Sequence, residues 1–532
     1  MTHRSLPRSI ALAALSATLM TLAVPNELFK HGIPPLGFLA LVPLYLAVLD
    51  LDRPREAALV TGLFGALQHA MTSYWLWFFK DFRFWTLGST TIAYFVVYMV
   101  LGLYLWLFLS RRGRARPLIF AVLWTAFEYM KSVGFLGYPW GLLPYSLTDA
   151  LPMLQIADVT GIYGITAMLA LSNAALAELA LGIGSSSKAA LKLRPRLGYL
   201  GLAAALGLVV LVYGLARMGT PIPKIGTLDA VIVQQNTDPW TEVNDEAGVS
   251  TDIKLARQAM ASAPRRPDLI VFSETSLLYS YAESRAYYNE KPSDDPLIPF
   301  IKDSGTWLLT GAPVLVSFKP VAATNSAILV DPRADLVKSY AKTHPVPFAE
   351  AIPFWDYEPF RKFMQNVVGL DSGWVVGSDY VVFDLPAKEG MFRFGAPICF
   401  EDAFPDVCRQ FSLRGADLLI NLTDIAWSKT ESAEIQHWAA ARFRAIEARK
   451  TLVRSTNGGV SCVVGPYGEV LDSLPLFRSV SRFEEVPIFR GSSPTLYIRF
   501  GDWFAIAALL LSALVSIILF IGEARGGDPE RK

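Results

Sequence analysis

The feature that most limits what this chain can fold into is a row of apolar runs, most of them near the ~20 residues that cross a hydrocarbon core. They fall at about residues 9–24, 34–49, 57–79, 87–109, 117–133, 161–181 and 197–216, and after a long polar interval a last one covers 501–521. Read as spans, they predict eight transmembrane helices, seven of them within residues 1–218. Composition agrees: 52% of the 532 residues are hydrophobic and 18% are charged, too apolar for an ordinary soluble chain of this length. A formal net charge of +1 offers no basic field to hold a polyanion, so no nucleic-acid partner is expected.

Basic residues near helix ends mark the cytoplasmic side of a membrane. Arg4 and Arg8 precede the first run, Arg53 and Arg55 follow the second, Arg111, Arg112, Arg114 and Arg116 follow the fourth, and Lys188, Lys192, Arg194 and Arg196 follow the sixth. The alternate loops hold only Lys30, Lys80 and Arg83, with aromatic residues Tyr74, Trp75, Trp77 and Trp85 at the level of an interface. The pattern predicts cytoplasmic termini and places the long segment after the seventh helix outside. The first run also has the flank and length of a signal-peptide core, but Leu22-Ala23-Val24-Pro25 puts a proline where cleavage wants small residues.

The polar interval, about residues 221–490, alternates strand-like runs (228–233, 269–272, 307–316, 326–330, 380–383, 392–398, 418–422) with helical patterns at 249–263, 404–414 and 431–448. That alternation predicts an α/β or α+β domain large enough to bury its own core. The expected division is therefore 1–218 for seven membrane helices, 219–490 for the α/β or α+β domain, and 491–532 for a last helix with a cytoplasmic tail.

Three of these elements end in a reactive group. DLIVFSETS delivers Glu274, the hairpin turning at residues 331–334 leads to Lys342, and FRFGAPICFED delivers Cys399 at the end of its strand-like run. A thiol with a pKa near 8.5 needs a base or a positive neighbour before it attacks efficiently; Glu274 would supply the base, and Lys342 the charge and an oxyanion contact. Singly, each has a plainer reading: a small core thiol, a solvated carboxylate, a surface ammonium. Their conjunction is what suggests catalysis. Cys408 and Cys462 read as core residues, although three cysteines leave room for one disulfide and one free thiol. With five histidines and none at ligand spacing from a cysteine, neither a metal nor another cofactor is expected.

The contexts of Glu274, Lys342 and Cys399 resemble the carbon-nitrogen hydrolase, or nitrilase, superfamily. Over nearly its full length the chain is similar to the bacterial apolipoprotein N-acyltransferase family. The stretches that carry this are GYPWGLLPYSLTD (137–149), SETS around Glu274, YAKTHPVPFAE around Lys342, ICFED around Cys399, NLT at Asn421, QHWAAARFRAIE (436–447) and RSTNGGVS (454–461). The chain departs from the family pattern at Ala349, Ala351, Phe400 and the segment TDIAWSK (423–429), positions that bear on the acyl-binding loops more than on the triad.

The resemblance implies a nitrilase-like αββα sandwich joined to eight transmembrane helices, a Glu274-Lys342-Cys399 triad, and Glu350 and Glu401 as supporting carboxylates. It implies transfer of a fatty acyl chain from a membrane phospholipid, through a thioester on Cys399, to the α-amino group of a diacylated apolipoprotein, by a monomer in the bacterial inner membrane with its catalytic domain in the periplasm. Glu128, Trp140 and Tyr145 would line the lipid entrance, although interfacial aromatics are common and Glu128 has Lys131 three residues along as an ordinary partner. Two rivals share these residues: a membrane-tethered amidase or nitrilase acting on a small amide, and an inactive membrane scaffold.

Overall fold

The computed structural model describes residues 6–80, 83–111, 115–183, 189–239, 244–369 and 373–525. Of the basic residues used above, Arg4, Arg112, Arg114 and Lys188 lie outside the described residues, as do residues 526–532 of the expected tail. The chain divides into two compact units, one made of Met1–Val133, Gly137–Gly219 and Asp502–Lys532, the other of Thr220–Gly501 with Gly134–Leu136.

The first unit is helical, and helices occur within all eight apolar runs: Leu6–Ala23, Val42–Leu49, Pro54–Thr72, Ser89–Arg111, Arg116–Ser132, Tyr163–Ile183, Ala189–Met218 and Trp503–Arg525. The expectation of eight crossings is met in part. Among the described residues four helical stretches are both long and apolar enough to cross a membrane: Leu6–Ala23, Phe84–Ser110, Tyr163–Leu181 and Arg196–Met218. The second run is split by its prolines into a 3-10 turn, Pro34–Phe38, and an eight-residue helix. Pro54–Thr72 carries Arg55, Glu56, Gln68 and His69, and Arg116–Ser132 has 17 residues with Glu128 and Lys131 among them. The break in the second run is stabilised by one side chain: Asn173 donates to the Gly37 carbonyl at 2.8 Å and accepts from the Leu41 N–H at 2.8 Å. Irregular backbone in an apolar surrounding needs such internal partners. Helices Pro54–Thr72 and Ser89–Arg111 pack closely because a Cβ on Gly65 would sit 2.3 Å from the Tyr98 ring, and one on Gly102 would sit 2.6 Å from the Ala57 carbonyl, the close approach that small residues permit.

The second unit is built on two sheets. In chain order the described strands are β1 (Lys224–Gln234), β2 (Leu269–Val271), β3 (Trp307–Phe318), β4 (Val321–Val330), β5 (Leu336–Ala341), β6 (Val382–Ala387), β7 (Gly390–Gly395), β8 (Leu418–Thr423), β9 (Leu452–Thr456), β10 (Cys462–Val464), β11 (Val470–Ser473) and β12 (Val480–Phe489). One sheet has the order β12-β1-β2-β3-β4-β5 and the other β11-β10-β9-β8-β7-β6. In each, parallel pairs at the centre (β1-β2-β3; β7-β8-β9) give way to antiparallel pairs at the edges. The Ser455 hydroxyl on β9 donates to the Val233 carbonyl on β1 at 3.1 Å, joining the sheets face to face.

Helices cover the outer faces, giving the αββα order. On the first sheet, Val249, Ile253 and Ala256 of helix Asp245–Ser262 bury against Val231, Val233, Ile270 and Phe272. That helix begins where the Asn244 side chain accepts from the Ala247 N–H at 3.1 Å. Against the second sheet lies helix Glu431–Ala448, capped by Thr430 and ended by Arg449 in a left-handed conformation at φ 54°. All of its residues from Ser432 to Ala448 are buried, so it cannot follow the usual amphipathic pattern and must pair its charges internally. Asp402 does this, lying 2.7 Å from His437 and 3.2 Å from Arg454, all three at 1% exposure or less. Removing one partner of a buried ion pair strands the other, a loss of about 3–5 kcal/mol, whereas an exposed pair is worth about 1 kcal/mol or less. Asp402→Ala is therefore expected to lower the thermal transition of the second unit strongly and Asp472→Ala, which removes the half-exposed partner of Arg482, to leave it nearly unchanged; thermal unfolding of both variants checks this.

Candidate active site

Glu274 leaves the first sheet just beyond β2, on a sharp turn whose next residue, Thr275, has φ 54°. The turn presses on β3 so closely that a Cβ on Gly311 would lie 2.3 Å from the Thr275 nitrogen; glycine is required there. Lys342 directly follows β5, its N–H donating to the Asn325 carbonyl of β4 at 2.8 Å. Cys399 corrects the sequence reading. Its strand stops at Gly395, and the thiol sits four residues on, opening the 3-10 turn Cys399–Ala403 with φ 50°. Proline at 397 removes a ladder donor, and the Asn421 side chain steadies the bend by donating to the carbonyls of Pro397 at 3.1 Å and Cys399 at 3.2 Å.

These three residues converge with Glu350. The Lys342 ammonium is 3% exposed and donates to Glu350 at 2.8 Å and to Glu274 at 3.1 Å. Burial alone would pull the ammonium toward neutrality, but the carboxylates of Glu274 and Glu350 outweigh it and hold Lys342 well above the usual lysine range. For the thiol the balance falls the other way. Burial, followed by the negative charge of Glu274, pushes Cys399 well above its ordinary value, with Lys342 opposing in part. The thiol is free and partly exposed, and a thiol raised in this way needs a base before it can attack.

Glu401 does different work from Glu350. It is fully buried; one oxygen accepts from the Tyr340 hydroxyl at 2.7 Å and from the N–H groups of Thr343 and His344 at 2.8 and 3.0 Å, and the other from the Ile398 N–H at 2.8 Å. It thereby clamps the loop after Lys342 to the turn that carries Cys399. Cys408 and Cys462 are buried, and all three thiols are free, so there is no disulfide. Among the described residues no group of three or more His, Cys, Asp or Glu is placed to hold a metal ion.

Glu128, Trp140 and Tyr145 lie buried in the helical unit. Glu128 accepts from Thr166 at 2.7 Å, the Leu143 N–H at 2.9 Å and Trp124 at 3.2 Å. Lys131, the partner expected from its spacing, donates instead to the Trp140 carbonyl at 3.1 Å. Tyr145 donates to the Pro139 carbonyl at 2.8 Å.

Asn325 was not foreseen. Its side-chain amide donates to both Glu274 and Glu350 at 2.9 Å, bridging two carboxylates that would otherwise repel. A polar residue at an interior position of an apolar strand was the available signal. Asp424 was noticed only as part of a departure from the family pattern, yet its N–H donates to Glu274 at 2.9 Å.

Comparison with known proteins places this geometry. Residues 16–175 match the model of the apolipoprotein N-acyltransferase N-terminal domain, and residues 230–481 match that of carbon-nitrogen hydrolases. An apolipoprotein N-acyltransferase 2 of Treponema denticola is 40% identical over 94% of this chain and 96% of its own length. The chain belongs to the apolipoprotein N-acyltransferase family. Its namesake in Treponema pallidum is 36% identical over 94% of this chain and 93% of that relative, and the apolipoprotein N-acyltransferase of Borreliella burgdorferi is 30% identical over 96% of each. The second unit thus has the nitrilase-like fold, as two covered sheets, and family membership extends to the helical unit.

A hydrogen bond to a charged group contributes about 1.5–3 kcal/mol, and each ~1.4 kcal/mol of barrier is tenfold in rate. Asn325→Ala is expected to lower turnover about 10–100-fold, and Asn325→Asp, which exchanges the bridging donor for a third acceptor, to lower it further. Steady-state rates of the two purified variants check the order.

Proposed function

We propose that this enzyme transfers a fatty acyl chain from a membrane phospholipid to the free α-amino group of the N-terminal S-diacylglyceryl-cysteine of apolipoproteins. The observation that carries the reading is the Lys342 ammonium held between Glu274 and Glu350 beside a free thiol, in a chain whose family membership spans both units.

In the first step Glu274 takes the Cys399 proton as the sulfur attacks the ester carbonyl carbon of the phospholipid. Lys342 stabilises the oxyanion of the tetrahedral intermediate, a contact commonly worth a few kcal/mol. Collapse breaks the C–O bond; the leaving lysophospholipid oxygen receives the proton from Glu274, and the acyl group remains on sulfur as a thioester. In the second step the α-amino nitrogen attacks the thioester carbonyl, Glu274 accepts the amine proton, and C–S cleavage returns the proton to the Cys399 thiolate. An amide is formed and the enzyme is regenerated. Glu350 serves by fixing Lys342, and Glu401 by fixing the loop around it.

The helical unit fits this reading, since both substrates are anchored by chains whose transfer to water costs about 0.8 kcal/mol per CH₂. The enzyme is read as a monomeric multi-pass protein of the bacterial inner membrane, with cytoplasmic termini and the catalytic unit in the periplasm, and with Glu128, Trp140 and Tyr145 supporting the lipid entrance. An amidase acting on a soluble amide would have no use for that unit. An inactive scaffold would have no use for the convergence of Glu274, Lys342 and Cys399.

Mass spectrometry of lipoprotein N-termini from cells with and without the protein tests the assignment. The expected result is a third, amide-linked acyl chain that disappears when the protein is removed. N-termini that stay triacylated in its absence, with no second such enzyme present, would contradict it.

A further inference from the structure

Glu274 has two carboxylate oxygens to place, and they are held differently. One accepts from Lys342 at 3.1 Å and Asn325 at 2.9 Å; the other accepts from the backbone N–H of Asp424 at 2.9 Å. Asp424 directly follows β8, and its carbonyl oxygen also lies 3.9 Å from the Cys399 sulfur as acceptor. One residue therefore meets the base through its N–H and the nucleophile through its C=O.

The direction of those two groups is set by the Asp424 side chain, which turns away from both. One of its oxygens accepts from the Ala426 N–H at 3.2 Å, the other from the Asn457 amide at 3.1 Å. Asn457 is itself fixed, bonding the N–H and carbonyl of Thr237 at 2.8 and 2.9 Å and donating its own N–H to the Thr423 carbonyl at 2.9 Å. A chain of contacts thus runs from the end of β1, through Asn457 and the Asp424 carboxyl, to the catalytic carboxylate.

We infer that Asp424 is the positioning residue of the general base: moored by Asn457 and Ala426, it aims its own peptide at Glu274 and Cys399. This rests on the acyl-transfer reading above. The titratable groups that face Asp424 are Glu274 beyond β2, Cys399, Asp238 after β1 and Glu434 on helix Glu431–Ala448; the nearby cation Lys429 pairs with Asp238 at 2.9 Å. Burial, and then the charge of Glu274, push the Asp424 carboxyl up to about 7. Below that pH Asp424 is neutral. Above it a negative charge sits beside Glu274 and Cys399.

The test uses the full-length detergent-solubilised enzyme and two readouts. The first is the rate at which iodoacetamide alkylates Cys399 between pH 5.5 and 8.5, followed by mass spectrometry, which needs no phospholipid. Wild type is expected to show a rate inflection near pH 7 that is missing from the shape-preserving Asp424→Asn. The second is acylation of Cys399 by labelled phospholipid: Asp424→Ala and Asn457→Ala are expected to lower the maximal rate at least 10-fold with KM changed less than 3-fold. Superimposable alkylation profiles for wild type and Asp424→Asn would overturn the inference even if Asp424→Ala failed to fold, as would an Asn457→Ala enzyme acylating at the wild-type rate. A wild-type enzyme that alkylates with the inflection but is never acylated would instead sink the acyl-transfer reading and leave the positioning role standing.

Discussion

The site depends on one buried ammonium. A lysine taken out of water keeps its charge only if opposite charges repay the desolvation, and Lys342 has two carboxylates within 3.1 Å to do so. Asn325 bridges the same two carboxylates by donating to both. Burial, and behind it the charge of Glu274, hold the neighbouring thiol well above its ordinary value although a cation lies close by. In the proposed mechanism, the oxyanion that develops as Cys399 attacks a carbonyl gives Lys342 a third negative partner while Glu274 takes the thiol proton.

The fold serves that cluster by bringing distant segments to one place. Glu274 and Lys342 come from the first sheet, and Cys399 and Asp424 from the second. The sheets are locked face to face by Ser455 and the turns are locked by Glu401, which ties the Lys342 loop to the Cys399 turn. Behind the nucleophile, the buried Asp402, His437 and Arg454 tie helix Glu431–Ala448 to the same turn and to β9. These polar contacts contribute geometry more than net stability, since buried ion pairs are costly to form.

Central strands β2 and β8 were legible in the sequence because buried parallel strands are largely apolar runs, LIVF before Glu274 and LLINLT at β8, whereas β9, LVRST, was not read, its run being broken by the buried Arg454. Edge strand β12 was not read, because with most of its length half-exposed it alternates charged and apolar residues, SRFEEV, like many surface loops. The end of β7 was set too late, since the change from strand to 3-10 turn after Gly395 rests on a positive φ at Cys399 that residue type does not announce. Glu274, Lys342 and Cys399 could be singled out from residue chemistry, whereas Asn325 and Asp424 could not, as their contacts arise only when β4 and the end of β8 meet Glu274. In the helical unit apolarity marked the long helices but not the short ones Leu151–Leu154 and Ala157–Thr160, and it could not say that prolines at 34, 35 and 43 would break the second run.

The central claim is that acyl transfer passes through sulfur at Cys399 with Glu274 taking its proton. It is tested most directly by incubating purified enzyme with radiolabelled phospholipid in the absence of acceptor and measuring hydroxylamine-sensitive label on the protein. Wild type is expected to accumulate a thioester on Cys399 and discharge it when a diacylated peptide with a free amino terminus is added, while Glu274→Gln acylates at least 10²-fold more slowly, as loss of a general base commonly produces. Label that persists at wild-type levels in Cys399→Ala would contradict the account.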